Sequence, residues 1–195
     1  MLLIVPEAEP LVGALRLEGD ASASQGVPAH LTLRYPFVPD PDVGVVGELG
    51  SFFAGVDGFA LTFTSVGEFP EVVYLAPEES SEVAGLTEAL VRRWPGHLPY
   101  NGLFDQVVPH LTVVGTPDPG LRAKALAALP AGLPIRSQAR EASLWSTVTP
   151  VGGSSRASPS ASPDRRSLVE PGRLDRQAAL MHSVLDAADL LTTCG

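Results

Sequence analysis

Two stretches with one pattern, His30-Leu31-Thr32-Leu33 and His110-Leu111-Thr112-Val113, decide how this chain is expected to fold. In each stretch polar and apolar residues alternate, so on a β-strand the histidine and threonine project from one face and the aliphatic side chains from the other. The two stretches contain two of the chain's four histidines. The repeat therefore predicts two strands, each with a core face and a chemical face, and a two-histidine active site.

A proline lies close before each histidine, Pro28 in the first copy and Pro109 in the second. Proline cannot donate a ladder hydrogen bond and suits the first residue or the edge of a strand. We therefore expect each strand to start just before its histidine. The ordinary alternative is a pair of half-buried strands whose polar faces carry structural residues, since threonine is common in strands.

The composition is that of a globular protein with a substantial core. Of the 195 residues, 45% are hydrophobic and 18% are charged, which suits one domain or two small lobes. The apolar opening 1–5 is followed by Pro6-Glu7 and has no basic region, so we interpret it as a buried strand and expect no membrane association. The single cysteine, Cys194, leaves no disulfide framework and favours a reducing, cytoplasmic setting.

The net charge of −9 is concentrated in the first part of the chain. Residues 1–150 carry 8 basic and 17 acidic side chains, whereas residues 151–195 carry 5 of each. A field of this sign repels a long phosphate backbone, and the chain has no stripe of lysine and arginine. We therefore expect no binding to a long nucleic-acid duplex, whereas this charge is compatible with binding of a short nucleotide or an RNA end. We also expect the protein to be a monomer.

Two similar halves of mixed helices and strands, each with one histidine strand, emerge from the pattern of the chain and suggest a pseudo-twofold pair of lobes. The longest helix should begin near Pro77 and end near Arg93, with acidic residues in its first turn and basic residues in its last. The predicted elements are a strand over 2–5, a helix over 7–17, a strand over 30–34, a helix over 43–54 after Asp42, strands over 59–64 and 72–75, a helix over 77–93, a strand through His110, a helix over 119–128, and strands over 133–137 and 140–147.

A family resemblance is carried by three segments of the chain, 30–37, 69–75 and 99–112. They resemble the 2′-5′ RNA ligase-like, or 2′,3′-cyclic phosphodiesterase, branch of the 2H phosphoesterases. The resemblance covers residues 1–150, and the paired motif is its most specific part. It implies an α+β, bilobal fold in which two antiparallel sheets with flanking helices face each other across a cleft, with a His-x-Thr motif from each lobe on its floor. The implied reaction opens a 2′,3′-cyclic phosphate, or makes and breaks 2′-5′ links, without a metal or other cofactor.

The residue types of the two motifs suit this chemistry. Opening a cyclic phosphodiester requires one group that takes a proton from water and another that gives one to the departing ribose oxygen. The ordinary histidine pKa of about 6.5 allows His30 and His110 to divide these roles as general base and general acid, in an order that the sequence does not fix. Thr32 and Thr112 can donate hydroxyl hydrogen bonds to the non-bridging phosphate oxygens.

Further residues are candidate contacts for the substrate. Four aromatic residues can wall the pocket and stack a base, although core packing is the ordinary role of any one of them. They are Tyr35, Phe69, Tyr100 and Phe104. Arg34 alternates onto the face of His30 and Thr32, where it can meet phosphate or form a salt bridge at the rim. The spacing of histidines and the single cysteine give little support for zinc, so we predict no metal ligands.

The tail 151–195 departs from the family pattern. Relatives usually close the second sheet with a strand that contains Phe-Pro-Leu-Gly, whereas this chain has a stretch rich in serine and proline over 152–161. Reading the possible codons two nucleotides on allows residues 157–161 to spell that lost motif, so we hypothesise a frameshift near 148–153. The alternative is a genuine low-complexity linker, followed by a helix over about 173–191.

Two other functional classes compete with a phosphodiesterase. The same cleft could serve a non-catalytic module that holds nucleotides or RNA ends, or both motifs could be structural parts of an unrelated α+β protein. The relative position of the two imidazoles distinguishes the last class from the others, because an active site requires them to share one cleft. The sequence itself names neither the natural substrate nor the direction of the reaction.

Overall fold

The computed structural model describes residues 1–38, 41–104 and 107–145, together with a short strand at 166–167. The described chain contains both helices and strands, as in an α+β protein, with short 3₁₀ turns at 6–8 and 129–132. A tight turn lies at 99–102, where Tyr100 and Asn101 have positive φ angles. The elements are β1 (Leu2–Ile4), α1 (Glu9–Gly19), α2 (Ala21–Ser24), β2 (His30–Thr32), α3 (Val43–Ala54), β3 (Phe59–Phe69), β4 (Val72–Pro77), α4 (Ser81–Arg93), β5 (Leu111–Gly115), α5 (Pro119–Ala128), β6 (Ile135–Ala139), β7 (Ala142–Leu144) and β8 (Arg166–Ser167).

The strands form two antiparallel sheets, which confirms the predicted α+β architecture. The first sheet has the order β2-β1-β7-β8, and the second has the order β5-β4-β3-β6. Each histidine motif therefore lies at an edge of its own sheet, beside one antiparallel neighbour. The two halves correspond in this respect, as expected for pseudo-twofold lobes.

The two edge strands that carry the motifs come together where the sheets meet. Strands β2 and β5 approach within 8 Å, measured between Cα atoms. On their inner faces, Leu31 and Leu111 are fully buried in one continuous core to which both sheets contribute. The leucine of each copy thus faces the core as predicted, because side chains alternate along a strand.

The helix predicted after Asp42 and the helix predicted over 119–128 are confirmed, and both begin at an aspartate cap. The Asp42 carboxylate accepts a hydrogen bond from the Val45 amide at 2.9 Å, and Asp118 accepts one from Gly120 at 2.8 Å. Such caps satisfy amides that have no partner within the helix.

The start of the longest helix was predicted four residues too early, because α4 begins at Ser81 and not at Pro77. Pro77 still belongs to β4, and the Glu78 amide donates to the Thr62 carbonyl at 2.7 Å, which continues the sheet. Backbone hydrogen bonds of the sheet therefore extend past Pro77, although the acidic residues that follow it are typical of the start of a helix. Of the acidic residues predicted for the first turn, only Glu82 lies there.

Smaller shifts affect the other strands. The strand predicted over 133–137 runs over 135–139, and the one predicted over 140–147 is described over 142–144. The second motif strand begins at Leu111, so His110 immediately precedes it, whereas β2 begins at His30 itself.

The predictions for the tail fall almost wholly outside the described residues. Only the strand at 166–167 is described there, and it pairs antiparallel with β7 at the edge of the first sheet. Within the described part of the chain, no helix has both the length and the apolar character needed to cross a membrane.

Candidate active site

His30 occupies the first position of β2 and is almost completely enclosed, with 6% of its surface exposed. It pairs across the ladder with Ile4, and Thr32 pairs with Leu2. Directly paired residues share a face of the sheet, so the histidine and the threonine of the first motif have aliphatic neighbours.

His110 lies immediately before β5 and has an aromatic environment. Its ring contacts Phe69 edge to face at a centroid distance of 5.1 Å, and Tyr74 at 5.3 Å. Tyr74 also pairs with Thr112 across β4 and β5, so it shares a face with the threonine of the second motif. The second motif is thus walled by two stacked rings, since Phe69 and Tyr74 lie 4.3 Å apart.

A close approach of the backbone makes this wall possible. Gly67 pairs with Tyr74 across β3 and β4, and a Cβ atom built on Gly67 would lie 2.4 Å from the tyrosine ring. The ring therefore lies flat over the glycine, in space that any larger residue would fill. Tyr74 was not among the predicted site residues. The glycine opposite it in the strand pattern is the signal that could have indicated it.

The two histidines share one hydrogen-bond geometry. Nδ1 of His30 bonds the Pro28 carbonyl at 2.8 Å, and Nδ1 of His110 bonds the Val108 carbonyl at 2.7 Å. A carbonyl oxygen only accepts, so Nδ1 must carry the proton in both rings. In each neutral imidazole this leaves Nε2 without a proton, as the nitrogen able to exchange one with a substrate.

Burial favours the neutral form of both imidazole rings, compared with the same rings in water. Loss of hydration lowers the pKa of His30 to about 4, in opposition to the hydrogen bond from its Nδ1 to Pro28, which favours the charged form. Burial also lowers the pKa of His110 from its ordinary value, again against its carbonyl bond. In the unliganded protein at neutral pH, both side chains can act as proton acceptors.

The two threonines of the motifs follow their histidines by two residues, at half-buried positions. Thr32 belongs to β2 and Thr112 to β5, the two strands that meet at the junction of the sheets. The fold therefore brings the strands of the two motif copies within 8 Å of each other, measured between Cα atoms. Convergence of the four side chains on one phosphate stays a prediction.

Arg34 has a place apart from the motif residues. It is 1% exposed, and its two terminal nitrogens donate to the carbonyls of Leu90 and Trp94 at the C-terminal end of α4. Its guanidinium also lies 5.4 Å from the centre of the Phe37 ring. A cation at this end of a helix satisfies the last carbonyls and complements the helix dipole. These bonds hold both terminal nitrogens of a buried side chain, so Arg34 does not lie at a rim as predicted. Its contact with a phosphate stays a prediction.

Tyr35 and Tyr100 are joined through their backbones, because the Tyr100 amide donates to the Tyr35 carbonyl at 2.6 Å. Tyr100 is held at a φ of 50°, in the left-handed region that a residue with a Cβ atom seldom adopts. Burial raises the pKa of its phenol to about 12, so the hydroxyl stays protonated and can donate a hydrogen bond. The Tyr100 ring packs edge to face on Phe104 at 5.5 Å.

A cavity of about 700 Å³ lies between α4 and the segment that contains Tyr100. Its walls include Thr87 and Arg92 of the helix and Phe104 of the segment, but neither motif histidine. The structure thus separates this space from the histidine pair. Among the described residues, no cluster of three or more histidine, cysteine, aspartate or glutamate side chains has an arrangement that could hold a metal ion.

Comparison with known proteins gives a match to one protein family. A search of curated proteins finds no match to the chain. The sequence profile of the 2′-5′ RNA ligase superfamily matches residues 4–150, a segment that contains both histidine motifs. This match covers three quarters of the 195-residue chain and confirms the resemblance to the 2H phosphoesterases. The chain therefore belongs to the 2′-5′ RNA ligase superfamily, a group of phosphoesterase-like and ligase-like proteins.

Proposed function

We propose that this protein is a metal-independent phosphodiesterase that opens the 2′,3′-cyclic phosphate of nucleotides or RNA ends. One observation carries the proposal: both motif histidines use Nδ1 to bond the carbonyl two residues before them, at 2.8 Å and 2.7 Å. The same tautomer is thus fixed in both copies of the motif by a carbonyl at the same position along the chain. Two imidazoles that both keep Nε2 available are what a base and an acid on one phosphate require.

The reaction needs two proton transfers and one displacement at phosphorus. One histidine takes a proton from water at Nε2 as the water oxygen bonds phosphorus. The bond from phosphorus to one ribose oxygen breaks, and the other histidine, protonated at Nε2, gives its proton to that oxygen. The same two transfers would form a 2′-5′ link if the 5′-hydroxyl of a second RNA end replaced water as the attacking group and the ribose 3′-oxygen left. The reverse of either reaction re-forms the cyclic phosphate and exchanges the roles of the two histidines.

The bound phosphate itself would prepare the acid. Both histidines have a lowered pKa in the unliganded protein because burial disfavours the charged ring. A phosphodiester anion beside them favours the imidazolium form and raises the pKa of each. The hydroxyls of Thr32 and Thr112 would donate to the non-bridging oxygens, where charge develops in the transition state.

The charge of the protein favours a small substrate. A net charge of −9 opposes the approach of a long duplex, whereas one nucleotide or an RNA 3′ end presents few phosphates. Tyr35 and Tyr100 would contact the base or ribose of such a substrate. We propose that the protein acts as a monomer in the cytoplasm, without contact with a membrane.

The direct test is a set of 2′,3′-cyclic nucleotides and RNA oligonucleotides with cyclic-phosphate ends, each incubated with the protein in the presence of EDTA. We expect conversion to a phosphomonoester that persists with the chelator and disappears in His30→Ala. Oligonucleotides with a 5′-hydroxyl in the same set would reveal the joining reaction. Tight binding without turnover would instead identify a module that holds nucleotides, and turnover that requires added metal would contradict the mechanism.

A further inference from the structure

The segment that leads into His30 is held from behind by side chains of α1. Arg16 donates from Nη1 to the Val27 carbonyl at 3.1 Å, and Glu9 accepts a hydrogen bond from the Ala29 amide at Oε1. These two bonds fix the backbone on both sides of Pro28. The carbonyl of Pro28 is the acceptor of the His30 Nδ1 proton.

The bonds of Glu9 and His30 fall on a single peptide group. The Pro28 carbonyl and the Ala29 amide belong to the same planar unit, in which C=O and N–H point in opposite directions. Glu9 therefore binds one end of the plane and His30 binds the other. A carboxylate at the N–H polarises the peptide and strengthens the carbonyl as an acceptor, because linked hydrogen bonds reinforce one another.

Glu9 is itself held in place. Its Oε1 lies 3.6 Å from Nη1 of Arg16, whose side chain is almost fully buried. Arg16 is fixed in turn by Asp20, which accepts from Nε at 3.0 Å and from Nη2 at 2.8 Å. Gly13, one turn along α1, leaves room for the carboxylate, since a Cβ atom there would lie 2.9 Å from Glu9 Oε2. These contacts hold the Glu9 carboxylate of α1 in place against the Pro28–Ala29 peptide group.

The second motif does not allow this arrangement. The carbonyl that accepts from His110 is that of Val108, and the next residue is Pro109. Proline has no amide hydrogen, so no acceptor can bind the far end of that peptide plane. Pro28 stands two residues before its histidine and Pro109 stands one before, and this shift of one residue makes the difference.

From this geometry we infer that Glu9 is a positioning residue for His30, acting through the Pro28–Ala29 peptide and not on the substrate. Its role is to keep the proton of His30 on Nδ1 and to leave Nε2 free for the reaction. The inference rests on the proposed function for its kinetic consequence, but the state of the His30 ring can be measured without any turnover.

The experiment compares Glu9→Ala and Glu9→Gln with wild type in the full chain, using ¹⁵N NMR of the histidine rings. We expect Glu9→Ala to increase the fraction of His30 that carries its proton on Nε2 while the His110 signals stay unchanged. Glu9→Gln should retain most of the wild-type tautomer, because its amide oxygen can still accept from Ala29. The matched control is Glu7→Gln, which alters a nearby glutamate that accepts instead from Ser137 Oγ at 2.6 Å.

The second measurement is the turnover of a cyclic nucleotide by the same variants. Glu9→Ala should lower kcat by about tenfold with KM nearly unchanged, at the lower end of what outer partners of a functional histidine contribute. Glu9→Gln should restore most of the rate. A His30 ring signal in Glu9→Ala identical to that of wild type, or equal changes at His30 and His110, would overturn the inference. A changed His30 signal in a protein without activity on any cyclic phosphate would refute the proposed function alone.

Discussion

The two copies of the motif share their chemistry and differ in their surroundings. His30 is enclosed beside Ile4 in the first sheet, whereas His110 is half-buried against the rings of Phe69 and Tyr74 in the second. Burial lowers the pKa of His30 to about 4, and that of His110 is lowered as well. One tetrapeptide pattern thus produces two imidazoles of equal tautomer and unequal environment.

This difference shows that the sheets, and not the motif, set the properties of each histidine. In the first copy, Ile4 lies beside the ring, and side chains of α1 bind the backbone that precedes it. In the second copy, Gly67 allows Tyr74 to lie flat beside His110 and form an aromatic wall. Each of the following predictions tests whether the two copies are equal in function and unequal in environment.

The largest effect should follow removal of either imidazole. We expect His30→Ala and His110→Ala each to lower kcat/KM for a cyclic nucleotide by roughly 10²–10⁴-fold, the usual contribution of general acid–base catalysis. Because the pair acts as one unit, the double variant should be little worse than the worse single variant. Steady-state kinetics in EDTA measures this. Near-normal turnover in His110→Ala would show that only one copy is functional.

Removal of either threonine hydroxyl should have a smaller effect. In Thr32→Val and Thr112→Val we expect losses of at most about 10²–10³-fold in kcat, because each removes one donor to a charged oxygen while its histidine remains. The valine keeps the shape of the strand residue, so the folded protein should be retained, as circular dichroism can check. If Thr32→Val lowered kcat and Thr112→Val did not, the two copies of the motif would not be equal in function.

The pH dependence of stability should distinguish the copies. As pH falls below about 6.5, the unfolded state takes up a proton at His30 before the folded state does, so stability is lost between pH 6.5 and 4. The shift corresponds to about 3 kcal/mol, present in full above pH 6.5. Urea unfolding across this range should show a clearly weaker pH dependence in His30→Asn, and a lesser change in His110→Asn. Equal slopes in both variants would mean that the environments of the rings are alike.

The smallest effect concerns the aromatic wall of the second copy. Gly67→Ala places a methyl group against the Tyr74 ring, so it should cost about 1–3 kcal/mol of stability and lower activity through the displaced contact with His110. The matched control is Gly47→Ala in α3, where a Cβ atom would meet nothing within 4 Å. That variant should gain up to about 1 kcal/mol, because alanine favours a helix interior. Thermal unfolding and turnover of both variants test this, and an equally stable Gly67→Ala would show that the ring moves freely.

Much of the site could be predicted from local pattern. The alternation in His30-Leu31-Thr32 and His110-Leu111-Thr112 determined which side chains enter the core, because a strand has a period of two. The caps at Asp42 and Asp118 determined where two helices begin, since a side-chain carboxylate satisfies amides within the same turn.

Only the tertiary structure decided which distant groups meet. The sequence could not show that Arg34 binds the end of α4 or that Tyr74 lies over Gly67, because such contacts join residues that are far apart or depend on the strand register. Nor could it show that Glu9 reaches the peptide before His30, which requires α1 to lie against the segment that leads into β2. The sequence by itself determined the reactive groups and their facing direction, which are local properties of the chain. The fold decided their hydration, their tautomer and their partners, because these depend on what the rest of the molecule places around them.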